Sequence, residues 1–251
     1  MHDNKMRTEI LTIDKGQCLT DVLPAIPANT IFDKTITGCG ATHSEIVNAA
    51  RHSIIIEPNI PVILGKKAEH PFLFAVYEGI TKEDVKAYLA GEHDGYRKII
   101  TTPEGFDKKV LPAMHELEIP VYKDYFLLFD ECEKAIQDVG YRGDIYLPVE
   151  DFFKFENKAM VSATPIVPSD PRFGENGFKI LKLVPTYDSR IELTLCTTNN
   201  TVAVMRKLLK RLENETVCVF LNSTETILSL IYALGPVSYT HLRAHETVLD
   251  L

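Results

Sequence analysis

Short apolar runs bounded by turn residues recur along the first two thirds of the chain, and segments with helical spacing separate them. In Ser53-Ile54-Ile55-Ile56-Glu57-Pro58, three successive isoleucines mark a strand covered on both faces rather than one with a wet side. Similar runs stand at 30–32, entering a glycine-rich turn, at 98–103, stopped by Pro103, and at 125–129 and 158–162. Between them, 44–51 is amphipathic, and 81–89 opens on Thr81 followed by Glu83 and Asp84, a capped helix start. A third helix is expected over 106–117, with Pro112 leaving its start unsettled. This alternation predicts an α/β fold, a mainly parallel sheet with helices on both faces. Ligands of such sheets gather at the carboxyl ends of the strands, so the polar residues that close each run are the candidates for chemistry.

Beyond residue 165 the pattern changes. Residues 166–179 are rich in Pro, Ser, Asp and Gly and read as a linker from a first unit, 1–165, to a smaller second unit, 180–235. The second unit offers strands at 180–184, 191–196 and 216–221, a helix over 201–212 and another ending at Leu234. These are too few strands to close a lobe, so it reads as a partial one. Residues 237–247 resemble a tail found on unrelated sequences as an assembly or library artefact. Residues 236–251 are therefore read as non-native, together with His241 and His245, whose spacing of four would put them on one helical face.

Composition narrows the classes. The 251 residues are 45% apolar and 25% charged, as in ordinary globular proteins. No run approaches the ~18 apolar residues of a membrane span, and the first residues lack an export pattern, so a cytoplasmic protein without membrane contact is expected. Cys18, Cys39, Cys132, Cys196 and Cys218 form no CxxC pair and have no histidine at ligand spacing, which excludes a sequence-encoded zinc site and a disulfide framework. A net charge of −8 works against nucleic-acid binding, which draws on Lys and Arg. Local basic faces remain at Lys66-Lys67, Arg97-Lys98, Lys108-Lys109 and along 206–211, each of which is equally a solvated helix face.

Three strand ends carry chemistry. The run Leu127-Leu128-Phe129-Asp130-Glu131-Cys132-Glu133 delivers adjacent carboxylates from a buried strand. Asp130 could hold a magnesium ion and Glu131 could take a proton from water; an acidic helix start is the plain alternative. Thirty-one residues after Glu131 comes Ser162-Ala163-Thr164, hydroxyl residues able to bond a neighbouring carboxylate or simply to form a turn before Pro165. Upstream, Thr37-Gly38-Cys39-Gly40-Ala41-Thr42 places glycines where backbone N–H groups can approach phosphate, with Thr42 able to offer a hydroxyl oxygen to magnesium. A strand-to-helix turn that needs glycine only for its geometry would look the same.

Taken together, these motifs resemble the first RecA-like lobe of a superfamily-two helicase of the DEAD/DEAH-box kind, a P-loop NTPase, over residues 16–234. The resemblance implies ATP and Mg2+ as cofactors and DNA or RNA as partner. It gives Asp130 the metal, Glu131 the general base, and Glu133, Ser162, Ala163 and Thr164 the coupling of nucleotide state to lobe closure. Glu57-Pro58-Asn59-Ile60-Pro61 and Thr101-Thr102-Pro103-Glu104-Gly105 resemble motifs that touch the nucleic-acid backbone, which nominates Pro58, Asn59, Thr101, Thr102 and Pro103; Asn222-Ser223-Thr224 resembles a second-lobe motif. One departure stands out: Ala41 occupies the place of the usual loop lysine, and Thr35 that of the first glycine. Either Lys34, at the front of the loop, serves the phosphates instead, or the site is degenerate and the chain is a non-catalytic nucleotide- or nucleic-acid-binding module. The closest flavour is that of helicase-like proteins of bacterial mobile elements and phages, and a packaging-motor ATPase would share the displaced lysine. Because the family completes its site with arginines from the second lobe, slow hydrolysis without duplex unwinding is the expectation for this chain.

Overall fold

The structure is a computed structural model, and it describes residues 6–36, 38–132, 147–164, 170–189, 194–211, 219–221 and 223–234. The chain divides into two compact units, Met1–Arg190 and Ile191–Leu251.

The first unit is built on one eight-stranded sheet. Its strands are β1 (Thr8–Ile13), β2 (Thr30–Asp33), β3 (His52–Ile56), β4 (Phe74–Val76), β5 (Lys98–Thr101), β6 (Tyr125–Phe129), β7 (Asn157–Ser162) and β8 (Lys179–Pro185). They lie in the order β1-β8-β2-β7-β6-β3-β5-β4, and every pairing is parallel. Alternation along the central strands splits the core in two. Ile54, Ile56, Ile99, Leu127, Phe129 and Met160 face one way, against the helical Val85, Met114 and Phe152. Ile55, Ile100, Phe126, Leu128 and Val161 face the other way, against Leu19, Ile46 and Ile63. Helices cover both faces, as a parallel sheet requires.

Four helices follow the early strands: α1 (Leu19–Val22), α2 (Ala41–Val47), α3 (Ile60–Glu69) and α4 (Lys82–Ala90). Thr81 caps α4 in a capping box with Asp84, as its sequence predicts. The helix expected at 44–51 is shifted. It begins at Ala41, directly after Gly40 in the left-handed region (φ 88°), and ends at Val47. Arg51 is instead drawn to the buried Glu45 and lies 3.4 Å over the ring of Phe126. The helix expected over 106–117 starts earlier, at Pro103, and runs through a π-helical stretch, Phe106–Val110, into Leu111–Glu116. Pro112 lacks an N–H and its ring crowds the preceding turn, and the widened π turn absorbs both.

The division at 165/180 needs correction. Within the expected linker, Asp170 caps a helix, Pro171–Glu175, and Phe173 of that helix packs on Phe152 and Phe178. The apolar run at 180–184 is the core of β8, which lies between β1 and β2 in the first sheet and does not open the second unit. In the second unit, helices Thr201–Arg211 and Thr224–Leu234 pack together and Leu230 is buried. Residues 194–196 and 219–221 are irregular, and 191–193, 216–218 and Asn222 lie outside the described residues, as does 235–251. No helix among the described residues is long and apolar enough to cross a membrane.

A buried charge cluster pins α2 to the sheet at the amino ends of β3 and β5. Glu45 accepts from Arg51 Nε (3.1 Å) and from the Ser53 hydroxyl (2.5 Å). Lys98 donates to Ser53 (2.8 Å) and lies 3.5 Å from Glu45. Deleting one member of such a group strands the others without partners, which is far costlier than never having buried them. Glu45→Ala is therefore expected to lower unfolding free energy by about 3–5 kcal/mol, a fall of roughly 10 °C in melting temperature for a unit of this size. Thermal denaturation followed by circular dichroism measures it, and a shift within the error of the wild type would contradict the assignment.

Candidate functional site

Four side chains meet where β2 and β6 end. Lys34 follows β2 directly, and its ammonium lies 2.8 Å from Glu131 Oε1 and 3.4 Å from Asp130 Oδ1. Thr42, in the first turn of α2, donates its hydroxyl to the other Asp130 oxygen, Oδ2. Asp130 is buried and Lys34 nearly so. Burial by itself would lower the Lys34 pKa, but Asp130 and Glu131 outweigh it and hold the ammonium above the usual lysine range. The lysine is thus charged at any physiological pH.

Backbone geometry makes these contacts possible. Glu131 leaves the strand with φ 50°, a left-handed conformation unusual for a side-chain-bearing residue. Its amide also bonds Asp130 Oδ1 at 2.9 Å. The turn folds the Glu131 carboxylate back towards Lys34 and stores strain of about 1 kcal/mol at the site. In the preceding loop, Gly38 (φ 73°) and Gly40 (φ 88°) take conformations that suit glycine, and the space where their Cβ atoms would stand is open. The amide of Leu19, at the start of α1, bonds the carbonyl of Cys39 (2.9 Å), and the Lys34 amide bonds that of Ser162 (2.9 Å), which anchors both ends of the turn.

The other expected site residues fall differently. Thr37 and Glu133 lie outside the described residues. Cys39 and Ala41 are buried in the sheet's second core, so their side chains belong to packing, and burial raises the Cys39 thiol pKa. Ser162 is fully buried and its hydroxyl accepts from the Thr164 amide (2.9 Å), the turn alternative noted from sequence, while Ala163 is half-buried and Thr164 exposed. Pro58 and Asn59 are half-buried at the start of α3. Thr101, Thr102 and Pro103 are buried: the Thr101 hydroxyl bonds the Thr102 carbonyl, and that of Thr102 accepts from the Gly105 amide. They shape the loop from within and do not present hydroxyls to a phosphate backbone. Most of the basic pairs are likewise engaged. Lys66 meets Glu69, Lys67 the carbonyls of Pro71 and Leu73, Arg97 that of Leu89 and Lys109 that of Tyr77, while Lys98 is part of the buried cluster.

One residue at this end of the sheet was not among the nominated site residues. Glu57 follows β3 and is 2% exposed. Ile56 pairs with Phe129 in register, so Glu57 and Asp130 emerge side by side on the same face. Burial, and then the charge of Asp130, push the Glu57 pKa up to about 7, against the hydrogen bonds from Asn59 that favour its anion. An apolar run followed by Glu-Pro was the available signal, but only pairing with β6 gives it meaning.

Among solved structures, the crystal structure of the DUF1998 helicase MrfA is 14% identical, with a TM-score of 0.54 over 82% of this chain and 35% of its own. The fold is that of a helicase lobe. The helicase domain of Pyrococcus furiosus Hef also matches, at 13% identity and a TM-score of 0.41, over 84% of this chain and 45% of that one. The chain therefore spans about a third to just under half of the length of the two structures it matches. No protein-family model matches it, and no curated protein does.

The raised Glu57 pKa has a sign that can be tested. Between pH 4.5 and about 7 the folded protein binds a proton that the unfolded chain releases, so this group costs stability as pH rises through that window. Gln at this position cannot ionise. In metal-free buffer, Glu57→Gln is expected to match the wild type near pH 4 and to exceed it by something on the order of 3 kcal/mol near pH 8. Urea titrations across this range give the difference, and a gain independent of pH would show that the carboxyl is not the cause.

Proposed function

We propose that this chain is a helicase-like ATPase that binds Mg-ATP and couples its hydrolysis to nucleic-acid binding or remodelling. The convergence of Lys34, Thr42, Asp130 and Glu131 at the ends of β2 and β6 carries the reading. The donor set suits the cofactor. Asp130 and Thr42 are hard oxygen ligands of the kind magnesium takes, one carboxylate with a hydroxyl, the rest of its shell being left to water and phosphate. The ammonium of Lys34 and the open face of the Gly38–Gly40 turn suit phosphate. When bound, Mg-ATP supplies the transferable phosphoryl group and the neutralisation of its charge.

The chain's own residues then divide the work. Lys34 exchanges its carboxylate partners for phosphate oxygens, an exchange of one anion for another that keeps its charge paired. Glu131, released from Lys34, accepts a proton from water. Asp130 remains held in place by the Thr42 side and by its strand. DNA or RNA as partner, Mg-ATP as cofactor and the coupling role of Ser162 and Thr164 are parts of this proposal. So is the link to mobile elements, which rests on the resemblance of residues 34–42 and 54–59.

A second reading has an observation of its own. Ala41 stands in the place of the usual loop lysine, which is also what a retired site would look like. Titration calorimetry with Mg-ATP separates the two. Lys34→Ala and Thr42→Ala are each expected to weaken binding by about tenfold or more, the size of a lost hydrogen bond to a charged group. Glu131→Gln is expected to bind as the parent does while its turnover falls by roughly a hundredfold or more. A parent that binds no nucleotide, or a Lys34→Ala variant that binds undiminished, would favour the non-catalytic module.

A further inference from the structure

Apart from the strand-end carboxylates, two histidines meet on the helical layer. His43 lies in the first turn of α2, one residue after Thr42, and His70 is the residue that closes α3. They are 27 positions apart in the chain, so the fold alone brings them together: His43 Nδ1 lies 3.2 Å from His70 Nε2. The two ring planes are inclined by 44° and their centroids are 5.1 Å apart. Both residues are half-buried, sheltered yet within reach of water. Their positions are fixed by the frame around them. Ile46 of α2 and Ile63 of α3 belong to the same core. The His70 amide bonds the Lys66 carbonyl, and Lys67 ties down the turn beyond through the carbonyls of Pro71 and Leu73. The ring of Phe72 stands edge-on to His70.

We propose that His43 and His70 form a two-histidine site for a transition-metal ion of the zinc class. Two imidazole nitrogens bound to one tetrahedral zinc, each at about 2.0–2.1 Å, stand about 3.3 Å from one another. This pair stands at 3.2 Å. With no ion between them the contact is a hydrogen bond, in which one facing nitrogen carries the proton and the other accepts it. On binding, that proton passes through water to the far nitrogen of the same ring, so both lone pairs face the ion and no net proton is released. Among the described residues no third ligand stands in place. Water takes the open positions, and Glu69, whose Oε2 is 4.0 Å from His70 Nε2 and paired with Lys66, is the carboxylate at hand. Imidazole suits zinc, copper or nickel, whereas magnesium takes hard oxygen ligands. The site is therefore chemically distinct from Asp130 and Thr42 and does not depend on their binding nucleotide. An ion held here joins the helix that carries Thr42 to the end of α3.

The test is a calorimetric titration of the full chain with zinc, magnesium being present in large excess to hold the hard oxygen ligands. His241 and His245 are a competing pair, so the titrated chain carries His241→Ala and His245→Ala. Zinc is expected to bind this chain, and adding either His43→Ala or His70→Ala is expected to weaken it by about tenfold or more, at least what loss of a mere supporting partner costs a metal site. Zinc binding that is undiminished by either of these two substitutions, or absent from the parent, overturns the proposal. Should a variant fail to fold, nitrogen-15 spectra of the imidazoles in the unaltered chain decide. Zinc is expected to move the His43 Nδ1 and His70 Nε2 signals, and signals that stay in place overturn the site. The readout needs no nucleotide, so each of these outcomes leaves the reading of the strand ends as it was.

Discussion

Strand β7 lies between β2 and β6, and that spacer sets the distance the site has to bridge. Neighbouring strands stand about 4.8 Å apart, so the strand that leads into the loop is about 10 Å from the one that delivers the carboxylates. Short side chains on β2 cannot cross that gap. Lys34 can, because its four-carbon stem carries the ammonium over the end of β7 to Asp130 and Glu131. Thr42 arrives by another route, on the first turn of α2 as it passes back over the strand ends. Glu131 closes the remainder by turning back through a left-handed backbone conformation. The loop glycines, the strained glutamate and the long lysine are three answers to one spacing.

The same crowding explains the electrostatics. One ammonium pairs with Asp130 and Glu131, and Glu57 leaves the neighbouring strand beside Asp130 in a setting mostly closed to water. Glu57, as buried as Asp130 and without a cation of its own among the described contacts, is the group pushed towards its neutral form. A divalent cation would complete the balance. The opposite end of the sheet shows the contrasting case, where Glu45 meets Arg51 and Lys98 and the charges are matched within the fold.

The central strands were legible because they are buried on both faces and read as unbroken apolar runs, Ile54-Ile55-Ile56 and Tyr125–Phe129 above all. Strand β1 was not, because it is an edge strand whose residues alternate between exposed and half-buried, with Ile10 largely exposed. A six-residue stretch of Thr, Glu and aliphatics carries little signal until β8 pairs with it. The boundary near 165 failed for a related reason: Pro, Gly and Asp mark a turn without saying whether the chain returns to the same sheet, and here it does, as β8. At the site, proximity of Lys34, Asp130 and Glu131 followed from motif order, whereas Glu57 required the register of β3 on β6. Thr101 and Thr102 erred in the other direction. Their residue types fit a phosphate contact, but Gly105 approaches so closely that a Cβ there would lie 2.5 Å from the Thr101 hydroxyl, and both threonines are enclosed by that turn.

Position 41 bears on which reading of the loop is physically simpler. Ala41 is 4% exposed and packs with Cys39 and Ile46 on the core side of α2. A lysine there would have to leave that core or force it apart, at a cost of about 1–3 kcal/mol for overpacking before any charge is counted. The loop is therefore not a standard one with a single residue missing. Its helix start is built around a small apolar side chain, and on the proposed reading Lys34, at the opposite end of the turn, supplies the cation. A site that had merely decayed would have no reason to keep a nearly buried lysine against two carboxylates, since an unused ion pair in that setting returns little stability for its desolvation. Retention of that costly arrangement, in place of apolar packing, is what weighs towards a working phosphate site with its lysine displaced.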